Sequence, residues 1–355
     1  MHIYVIRTYY PHWGKHSGIN QFLKYINQNS YDIEVHLASD SDNNFPIKSR
    51  LVRKWLRNLV QRQGMRWYKL SDLVAEVKAF RGCRRKKVDI IHYLDGEHSA
   101  QFLPRLPKRL HNSRPKIVAT YHQPPQMLDS LIIKNIVAKL DCITVVSQEQ
   151  VSYLREFVAS EKIHLILHGI DIDYFVPANT LKEEGKFRCI TVGNYLRDFE
   201  ALRKVAEKLS RYKNIEFHVV SSRANEVEDL PNINVHSGVD DDKLLKLYQQ
   251  SDLLFLPLLQ STANNALLEG IACGLPVVST CLPTVKAYLS GKEAILIEDN
   301  DPKQMADAIL HLVHNTENRK NMAQAARKRA EELDWRNIAP QYEAVYSKLI
   351  SNNQR

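Results

Sequence analysis

Ser261, Thr262, Asn264 and Asn265 stand together just ahead of an apolar run, residues 266–273, that is closed by Gly274 and Pro276. Short polar side chains of this kind accept hydrogen bonds from the first unpaired amides of a helix, and glycine followed by proline stops one. The pattern predicts a short helix over 266–273. Its exposed N–H groups and the positive end of its dipole suit a phosphate. On either side, residues 253–259 and 276–280 are nearly continuous apolar runs of strand length, as expected of strands buried on both faces of a parallel sheet. Strand, polar loop, short helix and strand within thirty residues form a candidate anion site.

The elements that would position such a site repeat along the chain. Apolar runs of strand type at 2–7, 32–37, 89–93, 116–121, 141–146 and 163–167 alternate with helical stretches in the first half. Runs at 188–192, 215–220, 232–236, 253–257, 276–279 and 294–297 do so in the second, separated by helices such as 199–210 and 242–250. This alternation predicts an α/β architecture of two doubly wound, Rossmann-like domains. Ligands of such sheets bind beyond the carboxyl ends of the strands. The domains are expected at 1–175 and 187–335, with a polar linker at 176–186 and a terminal helix, 336–355, crossing back to the first domain.

At 355 residues the chain exceeds what one core usually organises. Hydrophobic residues make up 44% and charged residues 25%, with no solenoid repeat and no apolar stretch of bilayer length. The start, MHIYVIR, reads as a strand rather than a secretory leader, so a cytoplasmic location is expected. Five widely spaced cysteines without a CxxC pair speak against a disulfide framework and a zinc site, and suit buried small hydrophobes. The net charge of +9 is local. Between Lys48 and Lys87 fourteen Lys and Arg face two acids, a net of +12, so the remainder is slightly acidic.

Residues 251–280 resemble the nucleotide-sugar signature of the GT-B glycosyltransferases, in particular the retaining family four or "group one" class. The shared positions are Leu268, Glu269, Gly270, Ala272, Cys273, Gly274, Pro276, Val277 and Val278. Ser261 stands eight positions before Glu269, where the family has its first glutamate, and Thr262, Ala263 and Asn264 replace its glycines. The resemblance implies two domains with parallel sheets facing across a cleft, a nucleotide diphosphate sugar as donor, and no metal or other cofactor. It implies that Glu269 contacts the ribose hydroxyls and that Ser261 faces the donor sugar with a neutral hydrogen bond. Ala263, Asn264, Asn265 and Ala266 would supply the amides at the diphosphate. In VGNYLRDF, Gly193 matches the family glycine, Asn194 replaces its arginine, and Arg197 is the nearest cation for the diphosphate. The competing reading makes Arg197 a surface residue paired with Asp198 or Glu200. HGIDIDYFVP resembles the family's hinge segment.

In the first half, Gly18 matches a loop glycine that approaches donor and acceptor in the family; it also reads as a plain tight turn into a helix. The loop's Lys15 is followed by His16, so a Walker phosphate loop is excluded. His122, after the strand at 116–121, matches a histidine that contacts the donor sugar near the anomeric carbon. Asp95, Glu97 and His98 follow another strand, where acceptor contacts would fall, though each taken singly reads first as a plain loop polar. Asp240, Asp241 and Asp242 read as helix capping and dipole compensation rather than a metal site.

Leu51, Val52, Trp55, Leu56, Leu59 and Val60 repeat at helical spacing, with Arg53, Lys54, Arg57 and Arg62 elsewhere on the same helix. Such a basic amphipathic helix suits an anionic membrane surface, with Arg53, Lys54, Trp55 and Arg57 as membrane or acceptor contacts, and the basic run continues through Arg84, Arg85, Lys86 and Lys87. The alternative packs the apolar face on the first domain. No nucleic-acid module is present. The expectation is an enzyme that moves a hexose from a UDP- or GDP-linked donor to a hydroxyl acceptor, lipid-linked or a cell-surface polysaccharide precursor, as a peripheral protein on the inner face of the membrane. The alternatives are a catalytically inactive nucleotide-sugar-binding scaffold and an epimerase.

Overall fold

A computed structural model describes residues 1–10, 14–42, 45–62, 65–85, 87–106, 115–178 and 185–351. Residues 179–184 of the expected linker and Lys86 of the basic run lie outside the described residues, as do the side chains of Arg62, Arg84 and Arg85. The chain divides into two units: Met1–Trp13, Phe22–Leu167 and Ile338–Arg355 form the first, and Gly14–Gln21 with His168–Asn337 the second. The terminal helix, Trp335–Ser351, gives its first residues to the second unit and the rest to the first.

The first unit contains a six-stranded sheet of β1 (His2–Tyr9), β2 (Asp32–Ser39), β3 (Ile90–Tyr93), β4 (Lys116–Tyr121), β5 (Cys142–Val145) and β6 (Ile163–Leu165). The order is β2-β1-β3-β4-β5-β6 and every pairing is parallel. Interior strands such as β3, Ile-Ile-His-Tyr, are buried at each position, because helices cover both faces of a parallel sheet. Edge strand β2 is different: Val35 and Leu37 are exposed. The terminal helix closes this unit, with Tyr346 Oη 2.6 Å from His92 Nδ1 and Tyr342 stacked on Phe22 at 4.3 Å between ring centroids.

The second unit repeats the design with β7 (Phe187–Val192), β8 (Ile215–Val220), β9 (Ile233–His236), β10 (Leu253–Leu256), β11 (Val277–Thr280) and β12 (Ala294–Ile297), in the order β12-β11-β10-β7-β8-β9. All twelve expected strands form. The chain winds outward from β7 through β8 to β9, then returns to the other side of β7 for β10 and winds outward again. The pair β7/β10 is therefore the topological switch point, where the connections leave a crevice at the carboxyl ends. In the first unit the corresponding pair is β1/β3.

The helix of the signature runs Asn265–Ala272, one residue earlier than expected at each end, with Asn264 as its cap. Gly270 is what lets it lie close on β10: a β-carbon there would stand 2.6 Å from Leu254 Cδ2. Cys142, Cys189 and Cys273 are buried as expected, whereas Cys83 and Cys281 are only half-buried; none of the five is in a disulfide.

Candidate functional site

The loops that follow β7 and β10 are stitched together. Asp198 N donates to Pro257 O at 3.0 Å, Leu259 N donates to Leu196 O at 3.0 Å, and Arg197 forms an isolated antiparallel bridge with Leu258. Leu196 is held at φ +56°, a left-handed conformation uncommon for a non-glycine residue. Gly193, at φ +108°, leaves the space the next arginine needs, for a β-carbon there would stand 2.7 Å from Arg197 Nη2. The backbone thus bends sharply twice just before Arg197 and folds its side chain back over the strand end.

Three oxygens fix the guanidinium. Nε donates to Val192 O at 2.8 Å, Nη1 to Tyr195 O at 3.1 Å and Nη2 to Asn264 Oδ1 at 3.1 Å. Asn264 Oδ1 also accepts from Leu267 N at 3.3 Å, so one amide oxygen caps the signature helix and holds the cation beside its start. The alternative ion pairs are occupied otherwise: Asp198 accepts from Ala201 N at 2.9 Å and Asn300 Nδ2 at 2.8 Å, and Glu200 pairs with Lys204 at 2.6 Å. Burial pulls the Arg197 pKa down to about 10, opposed by the charges of Tyr248 and Glu269, which leaves it cationic at neutral pH.

Glu269, on the second turn of the same helix, is 4% exposed. Its Oε2 accepts from Tyr248 Oη at 2.8 Å and its Oε1 from Ser17 Oγ at 2.5 Å. Burial raises its pKa, while those two hydrogen bonds and the Arg197 charge oppose the shift. Ser17 belongs to the segment Gly14–Gln21, which is counted with this unit. Lys15 N donates to Asp241 Oδ2 at 2.7 Å, and His16 pairs with Asp171 at 3.1 Å and stacks on Tyr174. Gly18 has φ +94°, so the turn into the following helix requires glycine.

The second unit therefore brings together Gly193, Arg197, Asn264, Asn265, Ala266 and Glu269, with Gly18 one residue from the Ser17 contact. Ser261 and Thr262 are buried but do not cap the helix; Ser261 Oγ donates to Thr262 O at 3.2 Å, and Ala263 lies half-buried between them and the cap. Asn194, in the place of the family arginine, accepts from Ser221 Oγ at 2.6 Å and Ser222 N at 2.8 Å and so ties the loop after β7 to the end of β8. Asp240 caps its helix through Lys243 N at 2.8 Å, but Asp241 and Asp242 do more than compensate a dipole: they accept from Lys15 N and Tyr174 Oη. Tyr248, Ser17 and the bridging role of Asn264 were not read from the sequence. Nothing in a single chain marks a tyrosine twenty-one positions upstream as the partner of Glu269.

His122 lies in the first unit, after β4. Its Nε2 donates to Leu94 O at 2.7 Å, and its backbone N–H donates to Glu97 Oε1 at 3.0 Å. Asp95 and Glu97 are not plain loop polars. Both are buried, Asp95 Oδ2 accepts from Thr8 N at 2.9 Å, and burial pushes the Glu97 carboxyl up to about 7. Asp72 nearby accepts from Lys69 N at 2.8 Å through Oδ2, its Oδ1 has no partner among the described residues, and burial pushes its carboxyl up to about 8.

The basic helix, Arg50–Arg62, splits its apolar residues. Leu56 and Val60 pack on the first unit's core, while Leu51 and Trp55 are 81% and 63% exposed, with Val52 and Leu59 beside them. Lys54 is exposed, Arg57 Nε donates to Asp42 Oδ2 at 2.7 Å, and Arg53 Nη1 donates to Asp42 O at 3.2 Å. Among the described residues no helix is long and apolar enough to cross a membrane, and no cluster of three or more His, Cys, Asp or Glu could hold a metal.

Residues 186–315 match the family model described as glycosyl transferases group 1, and residues 19–174 match glycosyltransferase family 4. The chain belongs to the GT-B glycosyltransferases of family 4. Its relatives include the D-inositol 3-phosphate glycosyltransferase of Corynebacterium urealyticum, 25% identical over 61% of this chain and 58% of that protein. Another is the N-acetyl-alpha-D-glucosaminyl L-malate synthase of Bacillus anthracis, 23% identical over 81% of this chain and 82% of the other. The chain spans rather less than two thirds of the inositol phosphate enzymes it matches. Among solved structures, sucrose-phosphate synthase from Thermosynechococcus elongatus aligns with a TM-score of 0.72 at 16% identity, covering 98% of this chain and 99% of that one. WaaG, a glycosyltransferase involved in lipopolysaccharide biosynthesis, aligns at 0.66 and 14%, covering 98% and 99%. At these identities the likeness is one of fold, that of a chain built on two parallel-sheet units.

Proposed function

We propose that this family 4 protein is a retaining hexosyltransferase that takes its sugar from a UDP- or GDP-linked donor and delivers it to a hydroxyl acceptor. One observation carries the reading: an arginine with no carboxylate partner among the described residues is fixed 3.1 Å from the cap of a helix start at the switch point of the second sheet. A half-buried guanidinium held beside the first amides of a helix suits a diphosphate. Glu269, held by Tyr248, supplies carboxylate lone pairs for the ribose diol.

In this mechanism the acceptor oxygen bonds to the anomeric carbon on the face that the leaving diphosphate vacates. The C–O bond to the diphosphate breaks, and the acceptor's proton passes to the departing phosphate oxygen. Arg197 and the amides of Asn265 and Ala266 stabilise the charge that develops there, which is where fixed donors contribute most to rate. His122, whose Nε2 donates to Leu94 O, is the first unit's candidate for contact with the donor sugar, as the family resemblance implies. Inositol 3-phosphate and L-malate, for which the relatives are named, both carry hydroxyl groups. Leu51, Val52, Trp55, Leu59 and Lys54 support peripheral contact with an anionic membrane and a lipid-linked acceptor.

Transfer from a panel of UDP- and GDP-sugars, with the anomeric configuration of the product read by NMR, tests the reaction. Arg197→Ala and Glu269→Ala are expected to abolish it, and full activity in both variants sinks the assignment. Ser261, a buried neutral residue in place of a glutamate, favours a second reading as a binding subunit. Nucleotide-sugar binding without turnover across the panel would establish that one.

A further inference from the structure

The first unit contains a cavity of about 310 Å3 lined by Asp40, Asp42, Arg57, Gln61, Tyr68 and Lys69, among others. It opens where ligands of parallel sheets collect, since Asp40 and Asp42 directly follow β2. The volume is at the lower end of the range for small-molecule pockets, roughly 300–1,000 Å3, and so suits one ring rather than a chain.

Its charges cancel in place. Asp40 pairs with Lys69 and Asp42 with Arg57, and Asp42 Oδ1 also accepts from Leu70 N at 2.9 Å. An anion entering the cavity would meet two carboxylates and a cation would meet two positive groups, each already neutralised. A hydroxyl both donates and accepts, and can bond the carboxylate and the ammonium or guanidinium of each pair together; Gln61 adds one more donor and acceptor. The cavity also adjoins the switch point of the first sheet. The Lys69 ammonium lies within electrostatic reach of Asp95 and His98, which follow β3, and His98 packs against Trp67 at 4.7 Å and lies 3.3 Å from Tyr10 Oη.

We propose that this cavity is a subsite for a neutral, hydroxyl-rich ring, a sugar or cyclic polyol, belonging to the acceptor. Its role as an acceptor subsite rests on the transferase reading. Three strand spacings separate β2 from β4, after which His122 stands, and at about 4.8 Å each they amount to roughly 14 Å. On the transferase reading, which puts the reacting sugar at His122, the ring held by Asp40 and Asp42 is a distal part of an acceptor longer than one ring.

Saturation-transfer NMR on the full chain tests this, with methyl α-D-glucopyranoside, methyl α-D-mannopyranoside and myo-inositol as neutral probes, inorganic phosphate as the charged one, and each arm run with and without UDP. At least one neutral probe is expected to bind whether or not UDP is present, and Gln61→Leu and Lys69→Met are each expected to weaken it at least fivefold with an unchanged circular dichroism melt. Binding by none of the neutral probes, binding that neither substitution alters, or binding of phosphate alone overturns the proposal. If a neutral probe binds as expected while UDP does not bind at all, the transferase reading fails and the polyol site stands.

Discussion

Arg197 stays charged in a half-buried place because its partners are two backbone carbonyls and an amide oxygen, groups that fix a guanidinium without neutralising it. A charge-assisted hydrogen bond to such a group contributes about 1.5–3 kcal/mol. Arg197→Ala is accordingly expected to weaken UDP binding by roughly ten- to a hundredfold in calorimetry, and an unchanged affinity would remove the residue from the donor site. Asp72 gives a prediction of a different kind. Its carboxyl keeps its proton up to about pH 8 in the folded chain but releases it near 3.8 when unfolded. The folded state thus binds more protons between those values, and stability that is present below pH 4 is lost as the pH rises towards 8. Thermal melts of wild type should fall more steeply between pH 5 and pH 8 than those of Asp72→Asn; parallel curves would show that the burial of Asp72 has no such cost.

Among the elements, the signature helix depends on two small features. Gly270 permits its close approach to β10, and Gly270→Ala, which crowds Leu254, is expected to cost about 1–3 kcal/mol in urea unfolding. Asn264→Ala removes the cap, at about 1 kcal/mol, and also frees Arg197 Nη2, so it should lower UDP affinity as well as stability; a loss of stability alone would separate the cap from the cation. The twelve strands were legible because parallel strands buried on two faces need unbroken apolar runs, and so was the helix start at Asn264 and Asn265. Ser261 and Thr262 look like caps in sequence but are buried short of the helix, since which polar residue caps is decided by where the backbone turns. The apolar stripe of the Arg50–Arg62 helix also read as one face. Helical spacing identifies a stripe, but only tertiary packing decides that Leu56 and Val60 turn inward while Leu51 and Trp55 do not. The contacts of Tyr248 and Ser17 with Glu269 join segments far apart in the chain, and no local pattern encodes them.

At the scale of the whole molecule, charge and exposed apolar surface coincide between residues 48 and 87, where the net is +12. Each cation near an anionic surface contributes about 1 kcal/mol, screened within roughly 10 Å at 0.1 M salt. Flotation with phosphatidylserine-containing liposomes is expected at low salt, to fall in 0.5 M salt, and to be lost in a Leu51→Glu, Trp55→Glu double variant; equal flotation of that variant would remove the membrane contact. The terminal helix has a different consequence. Trp335 is buried in the second unit, whereas Tyr342 and Tyr346 cover Phe22 and His92 in the first. A fragment that stops at Leu167 would leave those aromatic surfaces open to water and aggregate, whereas the same fragment supplied in trans with a peptide of residues 338–351 should regain solubility.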